Sequence, residues 1–526
     1  MIEINEMSLA EIFSEIDVIN DLPSDDLQIS GIRIDSREVK QGNLYLAVPG
    51  TRVDGHTYIL DAVAKGASVV VGSEPSQGYM DLAVPYIQVK NTRETLAYLT
   101  AAWYDFPARK LIVIGVTGTD GKTTTVNLIH QILLAAGIKA GLISTVNAVI
   151  GDQTLDTGFH VTTPEAVDLQ RYLAQMVEEG ITHVVLEATS HGLAQKRVAA
   201  CEFDMAVVTN ITHEHLDYHG DYQGYLNAKA ELFRLLKISK GKTAPYNKIA
   251  ILNKDDISYS SLSEIVEKTG IKLVDYGINN SADYQAVKIQ QGPDGLTFTV
   301  KTAEKKADFQ STLIGEYNVS NCLAALTVCI EGLSIDWQDA IKGVKNLTSI
   351  PGRMEYLNLG QNFSAIVDFA HTPNALSRVL TAARELTSQR VIAVFGSAGL
   401  RDKEKRKLMA EVSAKMANLT VLTAEDPRTE SLDSILKEMA EGMDSKGGIE
   451  GETYWRVPDR GGAIRFALDL ANPDDVVIVC GKGHEQSMCF EETEYPWDDR
   501  TALLSALTDY LGTEGPDMPY LPTQVL

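Results

Sequence analysis

The chain has 526 residues, of which 44% are hydrophobic and 7% aromatic, and it carries a formal net charge of -24. That length exceeds one core and points to roughly two to four domains, while the acidic balance excludes a broad basic surface for nucleic acid. Cys201, Cys322, Cys329, Cys480 and Cys489 form no C-x-x-C pair, which fits buried thiols in a reducing compartment better than a disulfide frame or a zinc site. The first residues, MIEINEMSLAEIF, do not read as a signal peptide, and no apolar run approaches the roughly 18 residues of a membrane span. A cytoplasmic protein without membrane insertion is expected.

Residues 1–108 contain short strand-like runs, GNLYLAVPG and ASVVVGS, with a helical stretch between them, and read as a small α/β unit. YDFPARK (104–110) interrupts the pattern. From there strand, glycine turn and helix alternate. KLIVIGV is a continuous apolar run of the kind found in buried parallel strands, and TTTVNLIHQILLAAG has helical spacing that stops at a glycine. HVVLEA (183–188), MAVVTNI (205–211) and IAILN (249–253) are further strands. NLTSIPGRMEYL (346–357) breaks the rhythm, and SAIVDFAH, RVIAVFG, LTVLTAE and DVVIVCG open a second α/β series. The expected fold class is therefore α/β with parallel sheets, in domains 1–108, 109–347 and 348–526.

GVTGTDGKTTT (115–125) joins the first central strand to its helix. Glycines let backbone N–H groups approach an anion closely, and the helix N-terminus adds unpaired donors and a favourable dipole. Lys122 would neutralise phosphate charge, and Thr123 or Thr124 would offer a hydroxyl to Mg²⁺. Five residues separate Gly115 from Gly121, one more than in the common nucleotide loop. In VLEATSHGLAQKRV (185–198), Glu187 ends a strand and suits a hard cation, with His191, Gln195 and Arg197 nearby. TNITHEHLDYHG (209–220) packs three histidines and two acids into twelve residues. Zinc is disfavoured there, because no thiol or H-x-x-x-H helix supports it and the glycine flank reads as a loop. Asn318 and Asn321 in LIGEYNVSNCLAAL could simply cap a helix.

These stretches resemble the Mur ligases, which build the peptide of cell-wall precursors, and the resemblance runs in order over nearly the whole chain. It implies a three-domain architecture: UDP-substrate binding, a central P-loop-type ATPase domain, and a C-terminal Rossmann-like domain for the amino acid. It makes Gly118, Thr119, Asp120, Gly121, Lys122, Thr123 and Thr124 the ATP loop, with Asp120 where the family usually has Asn. Glu187, His215 and Lys229 become metal-holding residues with Thr123 or Thr124. His215 matches the family's metal-binding histidine in D-H-L-D-Y-H, and Lys229 matches a carbamylated lysine that helps hold a second Mg²⁺. Asn318 and Asn321 border the nucleotide. Arg353, Asp368 and His371 come from the third domain to close on phosphates and ribose. Lys122, Glu187, His215, Lys229 and Arg353 form the implied catalytic set.

RIDSREVKQGNLYLAVPGTRVDGHTYI (33–59) is similar to the uridine-binding domain of one branch, the MurE tripeptide synthetases. There Ile34, Ser36, Thr51, Arg52 and Val53 would contact the UDP part. Thr162 and Thr163 in HVTTPE (160–165) would lie near the sugar-peptide, with Thr189, Gln195 and Arg197 on the same substrate. Arg401, Glu425, Asp426, Pro427, Arg428, Gly481 and Glu485 would line the acceptor pocket. Asp426 stands where diaminopimelate-adding enzymes have Asn, which favours a terminal ammonium; Arg428 can grip a carboxylate. The balance leans to lysine or ornithine, with diaminopimelate next.

The implied reaction is ATP-dependent amide formation through an acyl phosphate, acting on UDP-MurNAc-L-Ala-D-Glu and a diamino acid, by a monomer with two Mg²⁺ sites. A related ligase on another carrier, such as a folate or pseudomurein precursor, and a non-catalytic binding protein are the alternatives.

Overall fold

The computed structural model describes residues 6–24, 27–50, 53–155, 163–212, 214, 216–240, 242, 247–292 and 295–524. Three sheets organise it. A four-stranded parallel sheet (Gly31–Arg33, Asn43–Leu46, Val69–Gly72, Tyr86–Gln88) forms the N-terminal unit. An eleven-stranded sheet spans residues 112–311. A six-stranded sheet lies between Glu355 and Cys480, followed by a hairpin (Ser487–Phe490, Thr493–Pro496) and the helix Asp499–Leu511.

The middle of the large sheet is parallel, in the order Ala140–Ile143, His183–Glu187, Ile112–Thr117, Met205–Val208, Ile249–Asn253. Every residue of Ile112–Thr117 is buried, because the strand is covered on both faces. Ile112, Ile114 and Val116 pack with Val126, Ile129 and Leu133 of the helix Lys122–Ala135. Val113 packs on the other side with Phe203, Leu232 and Leu236. Double coverage is why these strands read as continuous apolar runs, each buried Val or Ile contributing about 1.5–3 kcal/mol. The far edge departs from the parallel pattern: Tyr284–Gly292, Gly295–Lys301 and Lys306–Ser311 form an antiparallel meander.

The chain leaves Ile112–Thr117 toward one side of the sheet and returns past it to Met205–Val208 on the other. That reversal opens a crevice at the carboxyl ends of the strands, the usual ligand position in open α/β sheets. The C-terminal sheet turns its own carboxyl edge to the same crevice, through Asp368, Phe369 and His371. The helix Pro373–Glu385 starts beside it. Thr372 Oγ1 accepts from the Ala375 N–H at 3.2 Å, and Pro373 supplies the first helical residue.

Candidate active site

Two glycines set the phosphate loop. Gly118 (φ 155°) has no room for a side chain, since a Cβ would lie 1.8 Å from Thr209 Oγ1. Gly121 (φ 79°) caps the helix in a left-handed conformation, and a Cβ there would meet Asn321 Oδ1 at 2.2 Å. Thr209 and Asn210, at the end of the adjacent strand, hold the loop. Asn210 O accepts from the Thr119 N–H at 2.7 Å and Asn210 Oδ1 from the Asp120 N–H at 3.0 Å. Lys122 Nζ donates to Thr119 O at 2.8 Å.

Glu187 ends the neighbouring strand, in register with Val116, and is 1% exposed. Its carboxylate accepts from Thr123 Oγ1 (2.9 Å), Thr145 Oγ1 (2.9 Å) and the Thr145 N–H (3.1 Å). Thr124 is buried in the same first helical turn. A carboxylate beside a loop hydroxyl is a hard oxygen donor set, which fits Mg²⁺.

Lys229, on the helix Tyr222–Ile238, is 1% exposed. Its Nζ donates to Gly118 O at 2.6 Å and stands 4.5 Å from the centre of the Tyr225 ring. Burial, and then the nearby Lys122 charge, hold this amine well below the usual lysine range against Glu214, Asp120 and Glu187. Burial thus favours the uncharged amine. His215, expected as a metal ligand, lies outside the described residues, as do Thr51, Arg52 and Thr162. The stretch expected as a loop after it forms a short helix, Leu216–His219, because one turn closes before Gly220 (φ 82°) stops it.

The C-terminal domain supplies the opposite wall. Arg353 Nη2 donates to Thr123 Oγ1 at 3.3 Å, its guanidinium lies 4.5 Å from the Phe369 ring centre, and its buried Nε has no partner among the described residues. Asp368 accepts from the Met354 N–H (2.8 Å) and the Ala370 N–H (2.7 Å). His371 Nε2 reaches 3.7 Å from Glu214 Oε1 of the central domain. Asn318 and Asn321 do not cap their helix, whose N-cap is Glu316. Asn318 Nδ2 donates to Ile314 O (2.7 Å), and Asn321 Nδ2 to Asn318 Oδ1 (2.9 Å). Together these groups enclose a cavity of about 520 Å³, within the range of nucleotide-sized ligand sites.

On the substrate side, Thr163 Oγ1 donates to Glu187 O (3.0 Å) and lies 3.0 Å from Thr189 Oγ1. Arg197 donates to Thr163 O (2.8 Å) and to Gln195 Oε1 (2.7 Å), and pairs with Glu165 at 2.7 Å. Ile34 and Val53 are exposed on the N-terminal unit, whereas Ser36 is buried in a short helical turn.

The residues expected to line the acceptor pocket correct one expectation. Asp426 is not an open anion: both carboxylate oxygens lie 3.0 Å from the buried Lys482 Nζ, and one accepts from the Cys489 N–H at 2.9 Å. Lys482 also pairs with Glu485 at 2.6 Å. The charge argument for a lysine or ornithine acceptor therefore loses its premise at this residue. Arg428, half-buried with φ 53°, forms no ion pair among the described residues. Its backbone is clamped to the antiparallel hairpin Ser487–Phe490/Thr493–Pro496 by the pairs Arg428 N–Cys489 O (3.1 Å) and Glu491 N–Arg428 O (2.8 Å). Pro427 is buried between Asp426 and Arg428, and Arg401 is exposed. Burial lifts the Glu425 carboxyl to about 7, against Lys405, Arg460 and Lys482. Its Oε2 has no partner among the described residues and faces Gly481.

Sequence reasoning missed Thr145, Tyr225, Asn374, Arg378, Lys482 and His484. None has a local signal except Lys482 and His484, which follow the apolar strand Val476–Cys480 in the same GKGHEQ stretch.

Comparison with known proteins matches residues 28–104 to the Mur ligase family, catalytic domain; 116–329 to the Mur ligase middle domain; and 352–483 to the Mur ligase glutamate ligase domain. A UDP-N-acetylmuramyl-tripeptide synthetase from Roseiflexus sp. (strain RS-1) is 40% identical over 96% of this chain and 99% of its own. A UDP-N-acetylmuramoyl-L-alanyl-D-glutamate--2,6-diaminopimelate ligase from Bacillus cereus is 38% identical over 94% of this chain and 97% of its own. A solved structure of a ligase with that same name superposes with a TM-score of 0.67 at 29% identity, covering 97% of this chain and 100% of that one. With three domains matched in order and identity at this level over the full length, the chain belongs to the Mur ligase family, whose members are ATP-dependent, ADP-forming ligases that use Mg²⁺.

Proposed function

We propose that the chain joins meso-diaminopimelate to the D-Glu of UDP-MurNAc-L-Ala-D-Glu, with ATP as the energy source. The observation that carries this reading is the meeting of two domains in one cavity: the phosphate loop, with Lys229 bonded behind it, and Glu187 on one side, Arg353, Asp368 and His371 on the other. Residues 1–108 would hold the UDP part, 109–347 the ATP, and 348–526 the amino acid. The setting it implies is a cytoplasmic monomer.

The γ-carboxylate of D-Glu attacks the γ-phosphate of ATP, giving an acyl phosphate and ADP. The acceptor amine then adds to the acyl carbon, and phosphate leaves as the amide forms. Two anions must meet in the first step. The loop N–H groups and Lys122 hold the phosphates, and Arg353 faces the charge that develops there. Thr163, Thr189 and Arg197 place the carboxylate-bearing substrate beside Glu187. Mg²⁺, held by Thr123, Thr124, Glu187, His215 and a carbamylated Lys229 in two sites, would screen the same charge. Lys229 suits carbamylation because burial favours the uncharged Nζ, which can add to CO₂, releasing one proton and becoming a carboxylate-like ligand.

Diaminopimelate is favoured over the alternatives because its distal carbon carries both an ammonium and a carboxylate. Glu425 answers the first and Arg428 the second. Lysine or ornithine is the second reading, favoured within this acidic group by Glu425, since Asp426 and Glu485 are paired with Lys482. Phosphate release from ATP with UDP-MurNAc-L-Ala-D-Glu distinguishes them. Release with diaminopimelate and far less with lysine or ornithine is expected. Release driven by lysine or ornithine instead would transfer acceptor choice to the acidic group. No release with any acceptor would point to a different carrier.

A further inference from the structure

Asp120 puts a carboxylate into a loop built to receive phosphate. Its backbone is fully engaged within the central domain: the N–H on Asn210 Oδ1, and the carbonyl accepting from Thr209 Oγ1 (2.7 Å) and Asn210 Nδ2 (3.0 Å). The side chain crosses the domain boundary instead. Oδ2 lies 3.1 Å from Asn374 Nδ2 and 3.5 Å from Arg378 Nη1. Those two residues are four apart in the helix Pro373–Glu385 and so share one face.

The other cations near this carboxylate have different partners. Lys122 is bonded to Thr119 O, and Arg353 to Thr123 Oγ1. Arg378 is the cation within ion-pair distance of Asp120 among the described residues. An uncompensated carboxylate here would repel an incoming triphosphate at short range, where water screens poorly.

We propose that Arg378 is a positioning residue for the nucleotide. It neutralises Asp120 from the C-terminal domain, so the phosphate loop takes an anionic ligand at full strength only when that domain is docked. The inference rests on the reading that this loop binds ATP.

The test is calorimetric binding of a non-hydrolysable ATP analogue with Mg²⁺ to the full chain, alongside KM for ATP. Arg378→Met should weaken analogue binding roughly tenfold, and Arg378→Lys, which keeps the charge, should recover most of the loss. In an Asp120→Asn background the penalty of Arg378→Met should shrink to less than about twofold, the signature of coupling between two contacting groups. An equal penalty in both backgrounds would overturn the proposal and make Arg378 a direct nucleotide contact. An unchanged affinity in Arg378→Met would overturn it too. Failure of the unsubstituted chain to bind the analogue would sink the ATP reading itself, and this inference with it.

Discussion

Lys229 shows how a single side chain changes chemistry with its surroundings. A lysine on a surface helix face is a cation, but this one is sealed under the phosphate loop with one carbonyl partner and an aromatic ring. Burial disfavours the charge, and Lys122 adds to the effect. The sign is the one that matters for carbamylation: a lowered folded value leaves the free base that reacts with CO₂, and protonation on acidification would block it. Lys229→Arg places a permanent cation there and removes that reaction. If the residue works as a carboxylate-like ligand, kcat should fall by at least about 100-fold, near 2.7 kcal/mol of barrier, and Lys229→Gln should fall comparably. Activity of the Arg variant within a few-fold of the unsubstituted enzyme, or crystal density from bicarbonate-grown crystals that ends at Nζ, would rule carbamylation out.

At the scale of elements, the site is a set of strand ends held at fixed height. The acceptor loop rests on a buried pair: Arg460 meets Asp499 through Nε–Oδ1 (2.7 Å) and Nη2–Oδ2 (2.6 Å), and donates onward to Ala424 O (3.0 Å) and Cys480 O (2.8 Å). Both side chains are fully buried, and Trp497 Nε1 completes the Asp499 shell at 2.8 Å. The pair thus ties the strand leading into Glu425 to the one leading into Gly481. Removing one partner leaves a buried charge, so Arg460→Met should cost about 3–5 kcal/mol, and pairing it with Asp499→Leu should recover part of that. Urea unfolding of the full chain followed by tryptophan fluorescence measures this; an unchanged midpoint in the single variant would contradict it. This arrangement also marks where sequence reading stops. The phosphate loop was legible because its strand, glycines and helix are contiguous, and Glu187 because it ends an apolar run. The Lys482–Asp426 pair spans 56 positions and the Asn374–Asp120 contact 254. No local periodicity encodes such pairings, so Asp426 read as an open anion when its charge is already met.

For the whole molecule, the consequence of a site split between domains is that binding and chemistry can be separated. Under the proposed function the central domain supplies the glycine loop and Lys122 as the frame of the phosphate site, and the C-terminal domain adds Arg378 beside Asp120. Arg353 comes from the C-terminal domain, with its guanidinium over the Phe369 ring, and lines a cavity that both domains wall. Donors placed this way stabilise charge at the moment it develops, and they do so only in the closed arrangement. Arg353→Met should therefore lower kcat by about 10²–10³-fold, the usual scale for losing one such donor, while KM for ATP changes by only a few-fold. Arg353→Lys should fall between, since a point charge replaces the planar fork that reaches Thr123. Steady-state kinetics with saturating acceptor decides the matter. A rise in KM with kcat intact would make Arg353 a ground-state contact of the nucleotide, and closure would then serve the acceptor rather than phosphoryl transfer.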